Sequence, residues 1–220
     1  MHGPLPQAKV CWLATEEDDP PERAASFSGP PVALILARID ASEGMKGHDE
    51  LIDRWASVIS VVPGARLVIA GGGSGLASIK RMAGDSGAAH AIDVLGFVEA
   101  ARIPGLLERA HVLAMPSRQE GFGVAYIEAM RFGLPCIASR HDGGQEVNLD
   151  GETGYNVNLG RRDDLTERLI ELLSNPARAQ EMGQRGHARW RAHFRYSQFS
   201  ARFQQNWRDF MSQTETGHGA

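Results

Sequence analysis

Short apolar runs alternate with amphipathic stretches along most of the chain. Residues 32–37 (VALILA) form a continuous apolar run, which is typical of a strand covered on both faces. Residues 47–62 follow with apolar side chains at i, i+3 and i+4 spacings, which predicts an amphipathic helix. The same patterns predict strands at 9–14, 66–70, 91–95, 111–115, 135–138 and 154–157, and helices at 76–83, 100–109, 123–132, 163–173, 176–193 and 197–211.

Alternating strands and helices are typical of a parallel sheet with helices on both faces. We therefore expect an α/β fold with a single Rossmann-like, doubly wound parallel sheet. Residues 1–31 are predicted to hold a short N-terminal strand and a connector that is acidic and then rich in Pro, Ser and Gly. Residues 32–195 would form the domain itself, and residues 196–220 a C-terminal helix and tail.

The composition argues against several classes of protein. Hydrophobic residues make up 42% and charged residues 23% of the 220 residues, which is an ordinary globular mixture. The net charge of −4 argues against a general binder of nucleic acid or of anionic membranes. No apolar run approaches the roughly 18 residues of a membrane helix, and MHGPLPQAKV shows no secretory signal. Two cysteines cannot build a disulfide scaffold, so the cytoplasm is the expected location.

Two cations lie where the first strand of the domain ends. In open α/β sheets ligands bind beyond the carboxyl ends of the strands. Arg38 follows the 32–37 run, and Lys46-Gly47 enter the next helix, whose N-terminal amides add partial positive charge. Together they predict an anion site suited to a diphosphate, which Arg can hold with two parallel hydrogen bonds. The alternative is that both are solvated surface cations.

The sequence GGGSG at residues 71–75 follows the second strand of the domain. Such a run lets the backbone approach a ligand or turn sharply. It invites comparison with the dinucleotide fingerprint G-x-G-x-x-G, but the last glycine of that pattern would fall on Leu76 or Ser78. Asp93 lies 20 residues after Gly73, where a ribose-binding acid would stand. A plain turn, or a loop near a phosphate, is favoured over an NAD site.

The most informative stretch is PSRQEGFGVAYIEAM at residues 116–130. An apolar strand runs into a loop that holds Glu120, Gly121 and Gly123 leave the turn without side chains, and a helix follows. Glu128 lies about one turn up that helix. Ionised carboxylates suit sugar hydroxyls because each oxygen accepts hydrogen bonds, and the amides of the turn suit an anion. The alternative is that Glu120 caps the helix and Glu128 is solvated.

The remaining polar residues carry weaker signals. Residues 142–146 (DGGQE) follow the strand at 135–138 and open a loop-to-helix turn, which by itself says little. The eight histidines match no metal-binding spacing, so no metal site is expected.

Taken together, these stretches resemble the glycosyltransferase family 4 group of GT-B enzymes. The resemblance covers about residues 32–195 and follows the order of the family's motifs. It is carried by Arg38, by KGH at 46–48, by IAGGG at 69–73, by LGFV at 95–98, by residues 116–130, by GLPCIA at 133–138, by GGQEV at 143–147 and by DGETG at 150–154. The two-glutamate stretch is the specific part, whereas the single glycine loops are not specific. The spacing from Arg38 to Lys46 exceeds the family's usual spacing by residues 40–45.

The resemblance implies a retaining, metal-independent enzyme without a cofactor, which takes a UDP- or GDP-linked sugar as donor and transfers a hexose. Its implied catalytic residues are Arg38 and Lys46, which neutralise the diphosphate, and Glu120, which holds the transferred sugar. Glu128 would bind the ribose, and backbone near residues 97–98 would meet the base. The full set of donor-binding residues that it implies is Gly71, Gly72, Phe97, Val98, Ser117, Gly121, Phe122, Gly123 and Glu128.

The resemblance also implies a partner. GT-B enzymes carry an N-terminal acceptor domain of similar size, and the residues before Val32 are too few to form one. The last helices carry an aromatic stripe, which consists of Trp190, Phe194, Phe199, Phe203, Trp207 and Phe210. An uncovered stripe predicts an acceptor-domain partner chain or self-association, and through such a partner a peripheral place at a membrane. The alternative is that the stripe packs on the domain's own sheet.

Two other interpretations stay open. A non-catalytic nucleotide-sugar-binding module would also account for a donor domain without its acceptor half. An NAD-binding Rossmann protein would account for the glycine loop at residues 71–75, though less well.

Overall fold

The computed structural model describes residues 8–42 and 46–216, and its centre is one six-stranded parallel sheet. The strands are β1 (Val32–Leu36), β2 (Arg66–Ala70), β3 (Ile92–Gly96), β4 (Val112–Ala114), β5 (Cys136–Ser139) and β6 (Gly154–Val157). They lie in the order β3-β2-β1-β4-β5-β6, and every neighbouring pair is parallel. This order confirms the expected Rossmann-like, doubly wound α/β fold.

Eight α-helices accompany the sheet within the described residues. They are α1 (His48–Val61), α2 (Leu76–Asp85), α3 (Ile103–Arg109), α4 (Val124–Arg131), α5 (Gly144–Val147), α6 (Arg162–Ser174), α7 (Pro176–His193) and α8 (Tyr196–Thr216). Pro104 lies in the first turn of α3, so the helix predicted over 100–109 begins instead with a 3₁₀ turn at Ala100–Arg102. None of these helices combines the length and the apolar character that crossing a bilayer requires. Part of the 40–45 segment and the tail after residue 216 lie outside the described residues.

The direction in which successive strands are added to the sheet reverses between β3 and β4. It runs outward from β1 through β2 to β3, returns to place β4 beside β1, and then runs outward the other way. Because crossover connections are right-handed, this reversal places the two sets of helices on opposite faces. In agreement, α1 packs against α2 and α6, whereas α4 packs against α7. The loops that leave β1 and β4 therefore start side by side at one edge.

The centre of the sheet is buried on both faces, as the continuous apolar runs predict. In β1, Ala33, Leu34 and Ile35 have at most 1% of their surface exposed. All residues of β4 and β5 are buried as well. Strands buried in this way are typical of parallel sheets, where helices cover both faces.

The strand predicted at residues 9–14 is absent, and Trp12 of this segment packs against Phe194 at the end of α7 and does not pair with a sheet edge. The residues that follow bond to the ends of helices. The Thr15 N–H donates to the Phe194 carbonyl at 2.9 Å, and the Ala25 N–H donates to the Phe132 carbonyl at 2.9 Å. Both acceptors stand at the ends of helices, α7 and α4, whose last carbonyls lack partners within the helix. Single bonds of this kind build no ladder, so the segment has no regular structure.

The aromatic stripe of the last helices divides into two parts. Trp190 and Phe194 are fully buried, and the Trp190 indole donates to the Thr15 hydroxyl at 2.9 Å. On α8, however, Phe203, Trp207 and Phe210 each keep 54–56% of their surface exposed. The first part of the stripe thus belongs to this domain's core, and the second part faces outward.

Helix α7 approaches the turn before β5 closely enough to exclude any side chain at Gly183. A Cβ placed there would lie 1.8 Å from the Gly133 carbonyl oxygen. Gly84 on α2 provides a matched contrast, because a Cβ there would meet nothing within 4 Å.

Replacing Gly183 by Ala should destabilise the fold by about 1–3 kcal/mol, because the helix must move away from a backbone atom that cannot yield. Gly84→Ala should instead add about 0.5–1 kcal/mol, since Ala favours the helix more than Gly does. Urea unfolding of both variants measures the two free energies. Equal effects of the two substitutions would contradict the close packing of α7.

Candidate functional site

The loops that follow β1, β2 and β3 enclose a hollow of about 500 Å³ at the carboxyl edge of the sheet. Its walls include Arg38, Gly71, Gly72, Phe97 and Val98. The Gly71 N–H donates to the Gly96 carbonyl at 2.9 Å, which holds the second and third loops together. Five residues that the sequence places in three different segments thus share one cavity wall. Phe97 is 78% exposed there, so its ring faces open space.

The glycine run is explained by the packing of the chain on itself. A Cβ on Gly71 would lie 1.8 Å from the Ala37 carbonyl oxygen, and one on Gly73 would lie 2.1 Å from the Ile39 carbonyl oxygen. Asp93 is also unavailable as a ribose acid, because both of its oxygens accept from the Arg66 guanidinium at 2.6 and 2.8 Å. The features that suggested an NAD site therefore serve the sheet edge itself.

A cation from the first loop meets the acid of the fourth loop. Lys46 Nζ lies 3.3 Å from Glu120 Oε2 and donates to the Gln119 carbonyl at 2.7 Å. The other carboxylate oxygen of Glu120 accepts the Phe122 N–H at 3.3 Å. The side chains of the lysine and the glutamate are only 21% and 17% exposed. Residues 74 positions apart in the chain thus form a partly shielded ion pair.

Ser117 and Phe122 support this loop from below. The Ser117 side chain is fully buried, its hydroxyl accepts the Gln119 N–H at 3.0 Å, and its carbonyl accepts from the Ser139 hydroxyl. Phe122 is partly buried and packs edge-on against Phe194, with 6.1 Å between ring centroids. Both residues are predicted to bind the donor, and their side chains make these contacts within the protein.

The turn at residues 121–123 leads directly into α4. Gly123 has φ of 93°, a left-handed conformation that favours glycine, and it caps the helix without a side-chain hydrogen bond. A Cβ on Gly121 would meet nothing within 4 Å, so this position is open. The turn therefore presents main-chain atoms beside Glu120 with little side-chain cover.

Glu128 lines a second hollow, to which neither Lys46 nor Glu120 contributes. That hollow, of about 400 Å³, is lined by α3, α4 and the N-terminal segment, including Glu16 and Glu17. Burial raises the pKa of Glu128, and the charges of Glu17 and Glu16 raise it further. Ala100 also lines this hollow and follows the Phe97-Val98 wall by two residues in the chain. Sequence reasoning missed the two acidic neighbours, because residues 15–31 were interpreted as a mere connector.

Asp142 is a second residue that the sequence analysis passed over. Its carboxylate accepts the Glu120 N–H at 3.0 Å and the Gly144 N–H at 3.1 Å. The bond to the residue two positions ahead is an Asx turn, which an Asp before two glycines favours. That local signal was available in the sequence, whereas the contact with Glu120 was not.

The histidine of the KGH motif is enclosed by the protein. His48 is fully buried at the start of α1, and burial lowers its pKa to about 4. Across residues 8–42 and 46–216 no group of three or more His, Cys, Asp or Glu side chains is arranged to hold a metal ion.

Solved structures share this fold. A sucrose-phosphate synthase from Thermosynechococcus elongatus superposes with a TM-score of 0.71 and 26% identity, covering 83% of this chain and 46% of that chain. The C-terminal domain of a glycosyl transferase group 1 protein from Francisella tularensis superposes with a TM-score of 0.66 and 21% identity, covering 80% of this chain and 89% of that domain. The fold is therefore that of one lobe of a GT-B glycosyltransferase.

The chain belongs to the family described as Glycosyl transferases group 1, whose model matches residues 17–189. Among its relatives is a GDP-mannose-dependent alpha-(1-6)-phosphatidylinositol monomannoside mannosyltransferase of Mycolicibacterium smegmatis, 36% identical over 163 residues. The Mycobacterium tuberculosis protein of the same description is 33% identical over 172 residues. The matches cover 71% and 73% of this chain but only 42% and 44% of those relatives. The chain thus spans less than half the length of these relatives.

Replacing Glu128 by Gln should stabilise the fold at neutral pH and leave it unchanged in acid. The folded-state pKa of Glu128 is raised, so this group favours the folded state most below its ordinary pKa of 4.5. Its contribution is lost as the pH rises through the raised value, and Gln removes that loss. Urea unfolding between pH 4 and pH 7 measures the difference.

The exposed Glu167 on α6 serves as the control, because Glu167→Gln should change stability by no more than about 0.5 kcal/mol. If the difference between Glu128→Gln and the unchanged protein were the same at both ends of the pH range, burial of the Glu128 charge would not be its cause.

Proposed function

We propose that this chain is the donor-binding half of a retaining glycosyltransferase that uses GDP-mannose. The observation that carries the proposal is the pairing of Lys46 with Glu120 at 3.3 Å, at the same sheet edge where the hollow beside Arg38 opens. GDP is favoured over UDP because relatives that are 33–36% identical are named as GDP-mannose-dependent. Solved neighbours with UDP are at most 20% identical and support the fold alone.

Arg38 and Lys46 would neutralise the donor diphosphate and stabilise it as it leaves. Two cations suit two phosphates, and the N-terminal amides of α1 add partial positive charge next to Lys46. Fixed cations that face a developing negative charge lower the barrier without reorganising during the reaction. This arrangement supports a mechanism that needs no metal ion and no other cofactor.

Glu120 would hold the transferred sugar through its hydroxyls. One oxygen of its carboxylate lies 3.3 Å from Lys46 Nζ. A bound diphosphate would compete for the lysine, and that oxygen would then be available to a sugar hydroxyl. The main chain at Gly121 and Gly123 would add hydrogen bonds on the same side. In this proposal Glu120 orients the sugar and is not the attacking nucleophile.

Glu128 and the Phe97-Val98 segment would bind the nucleoside. Glu128 lines the hollow shared with α3, where an ionised carboxylate can accept from ribose hydroxyls. The backbone of Phe97 and Val98 would meet the base next to Gly72. Retention of the anomeric configuration rests on the resemblance to the family.

Transfer to an acceptor requires a second lobe. The relatives are more than twice as long as the matched part, and Phe203, Trp207 and Phe210 remain half-exposed on α8. We infer that an acceptor-binding lobe covers this surface and supplies the site for a glycan, lipid-linked or other acceptor. A cytoplasmic location fits the free thiols of Cys11 and Cys136, and a lipid-linked acceptor would bring the complex to the membrane surface.

The second candidate is a nucleotide-sugar-binding module without catalysis. It accounts for the same hollow and the same Lys46–Glu120 pair, because binding a nucleotide sugar requires neither of them to take part in transfer. Donor binding alone does not distinguish the two candidates. Transfer of mannose after addition of an acceptor lobe would support the enzyme, and donor binding without transfer under those conditions would support the module.

Calorimetric titration tests donor binding. GDP-mannose should bind more tightly than UDP-glucose or ADP-glucose. Lys46→Ala should weaken GDP-mannose binding at least about tenfold, because a hydrogen bond to a charged group is lost. Lys80→Ala, which removes an exposed lysine of α2, should bind as the unchanged chain does. A preference for a UDP-sugar would overturn the choice of base, and unchanged binding by Lys46→Ala would overturn the site.

The N-terminal half of the Mycolicibacterium smegmatis relative, expressed separately, serves as a probe of the acceptor-lobe surface. It should form a complex with this chain in analytical ultracentrifugation. Replacing Phe203, Trp207 and Phe210 by Ser should abolish the complex, because these side chains carry the exposed apolar area. Equal association of the triple variant, or association of this chain only with itself, would rule out the acceptor lobe as the occupant.

A further inference from the structure

Asp142 joins the loop after β4 to the loop after β5. One oxygen of its carboxylate accepts the Glu120 N–H at 3.0 Å, and the other accepts the Gly144 N–H at 3.1 Å. The Gly143 N–H returns a bond of 2.8 Å to the Glu120 carbonyl. Both main-chain polar groups of Glu120 are therefore bonded to the loop after β5.

The two loops also touch directly. A Cβ on Gly143 would lie 2.2 Å from the Gly121 carbonyl oxygen and 3.1 Å from that of Glu120. Beneath both loops lies the buried ring of Tyr126, whose hydroxyl donates to the Met115 carbonyl at 2.6 Å. Contact above and a fixed ring below leave Glu120 few alternative main-chain positions.

Asp142 stands in an environment that is unfavourable for a second acid. Burial raises the pKa of Asp142, and the nearby Glu120 charge raises it further, although the hydrogen bonds from Glu120 and Gly144 oppose the shift. Placing a negative charge beside Glu120 costs free energy that an uncharged side chain would avoid. The carboxylate provides what a single acceptor does not: two oxygens for two backbone N–H groups at once.

We propose that Asp142 is a positioning residue that sets the Glu120 side chain against the transferred sugar. The inference rests on the proposed function, in which Glu120 holds the sugar. Asp142 would act on the sugar half of the donor and not on the nucleotide half. The reason is geometric. The bonds of Asp142 reach the loops after β4 and β5, which Lys46 alone among the proposed diphosphate and nucleoside contacts named here touches, whereas Arg38, Gly72 and Phe97 line the hollow formed by the loops after β1, β2 and β3.

The test compares GDP-mannose with GDP by calorimetry, because the ratio of their dissociation constants isolates the sugar. Asp142→Ala should weaken GDP-mannose about three- to tenfold, the effect of one lost hydrogen bond, with GDP binding changed less than about twofold. Asp142→Asn should weaken GDP-mannose binding less than Asp142→Ala does, because its amide keeps one oxygen acceptor and loses the other. Asp164→Ala serves as the matched control, because Asp164 also accepts a backbone N–H, from Asn158 at 2.8 Å, in the loop after β6.

Each outcome decides the inference. A ratio that shifts in Asp142→Ala and stays constant in Asp164→Ala supports it. An unchanged ratio in Asp142→Ala overturns it, and an equal loss of GDP and GDP-mannose overturns it in favour of a general structural role. If Asp142→Ala does not fold, the ratio in Asp142→Asn decides by the same criteria. Failure of the unchanged chain to bind GDP-mannose would contradict the proposed function itself, and the inference would fall with it.

Discussion

The pairing of β1 with β4 is the constraint on which the candidate site depends. These strands are separated by β2, β3 and three helices in the chain, yet Ala33 pairs with Val112 and Leu34 with Leu113. Parallel pairing brings both carboxyl ends to the same edge, so the loops that follow begin as neighbours. The contact of Lys46 with Glu120 follows from this adjacency. A sheet with any other strand between β1 and β4 would separate these two side chains.

Polar side chains and main-chain contacts then fix the loops. Ser117 holds the loop after β4 from within, and Asp142 ties it to the loop after β5. The close approach of Gly71 to Ala37 does the same for the loops after β1 and β2. These contacts hold the loops of the site in fixed positions relative to the sheet. Such preorganisation lowers the entropy that a ligand must remove on binding.

Prediction from the sequence succeeded where burial alone decides the structure. The bounds of β2, β6 and α7 agree with the patterns, because the apolar positions of these elements are the ones that face the core. It failed for residues 9–14, where Trp12 packs against Phe194 and its carbonyl accepts from Arg202 of α8, so that the segment pairs with no strand. The aromatic stripe shows the same limit, since spacing cannot reveal that Trp190 is buried and Trp207 is not.

Within the site, sequence motifs identified the side chains but not their partners. The motif at residues 116–130 pointed to Glu120 and Glu128 together, although Glu120 pairs with Lys46 and Glu128 lines a hollow that Glu120 does not reach. The acids that raise the pKa of Glu128 come from Glu16 and Glu17, more than 100 residues away. Asp142, which accepts a hydrogen bond from the Glu120 main-chain N–H, lies in the loop after β5. Contacts between residues so far apart in the chain depend on the order of the strands in the sheet, and local sequence patterns do not reveal that order.

The separation of the two glutamates has a consequence for the charge of the proposed ligand. A nucleotide sugar presents hydroxyls at both ends, on the ribose and on the hexose, and its negative charge lies between them. Acids near the diphosphate would repel it, whereas acids at the two ends would accept hydrogen bonds from hydroxyls. Lys46 lies next to Glu120 and shields that charge, and Arg131 lies 3.7 Å from Glu17 in the hollow that Glu128 lines. A fold that clustered Glu120 with Glu128 would lack this order of charges, and the proposed donor would lose the match between its own charge pattern and that of the site.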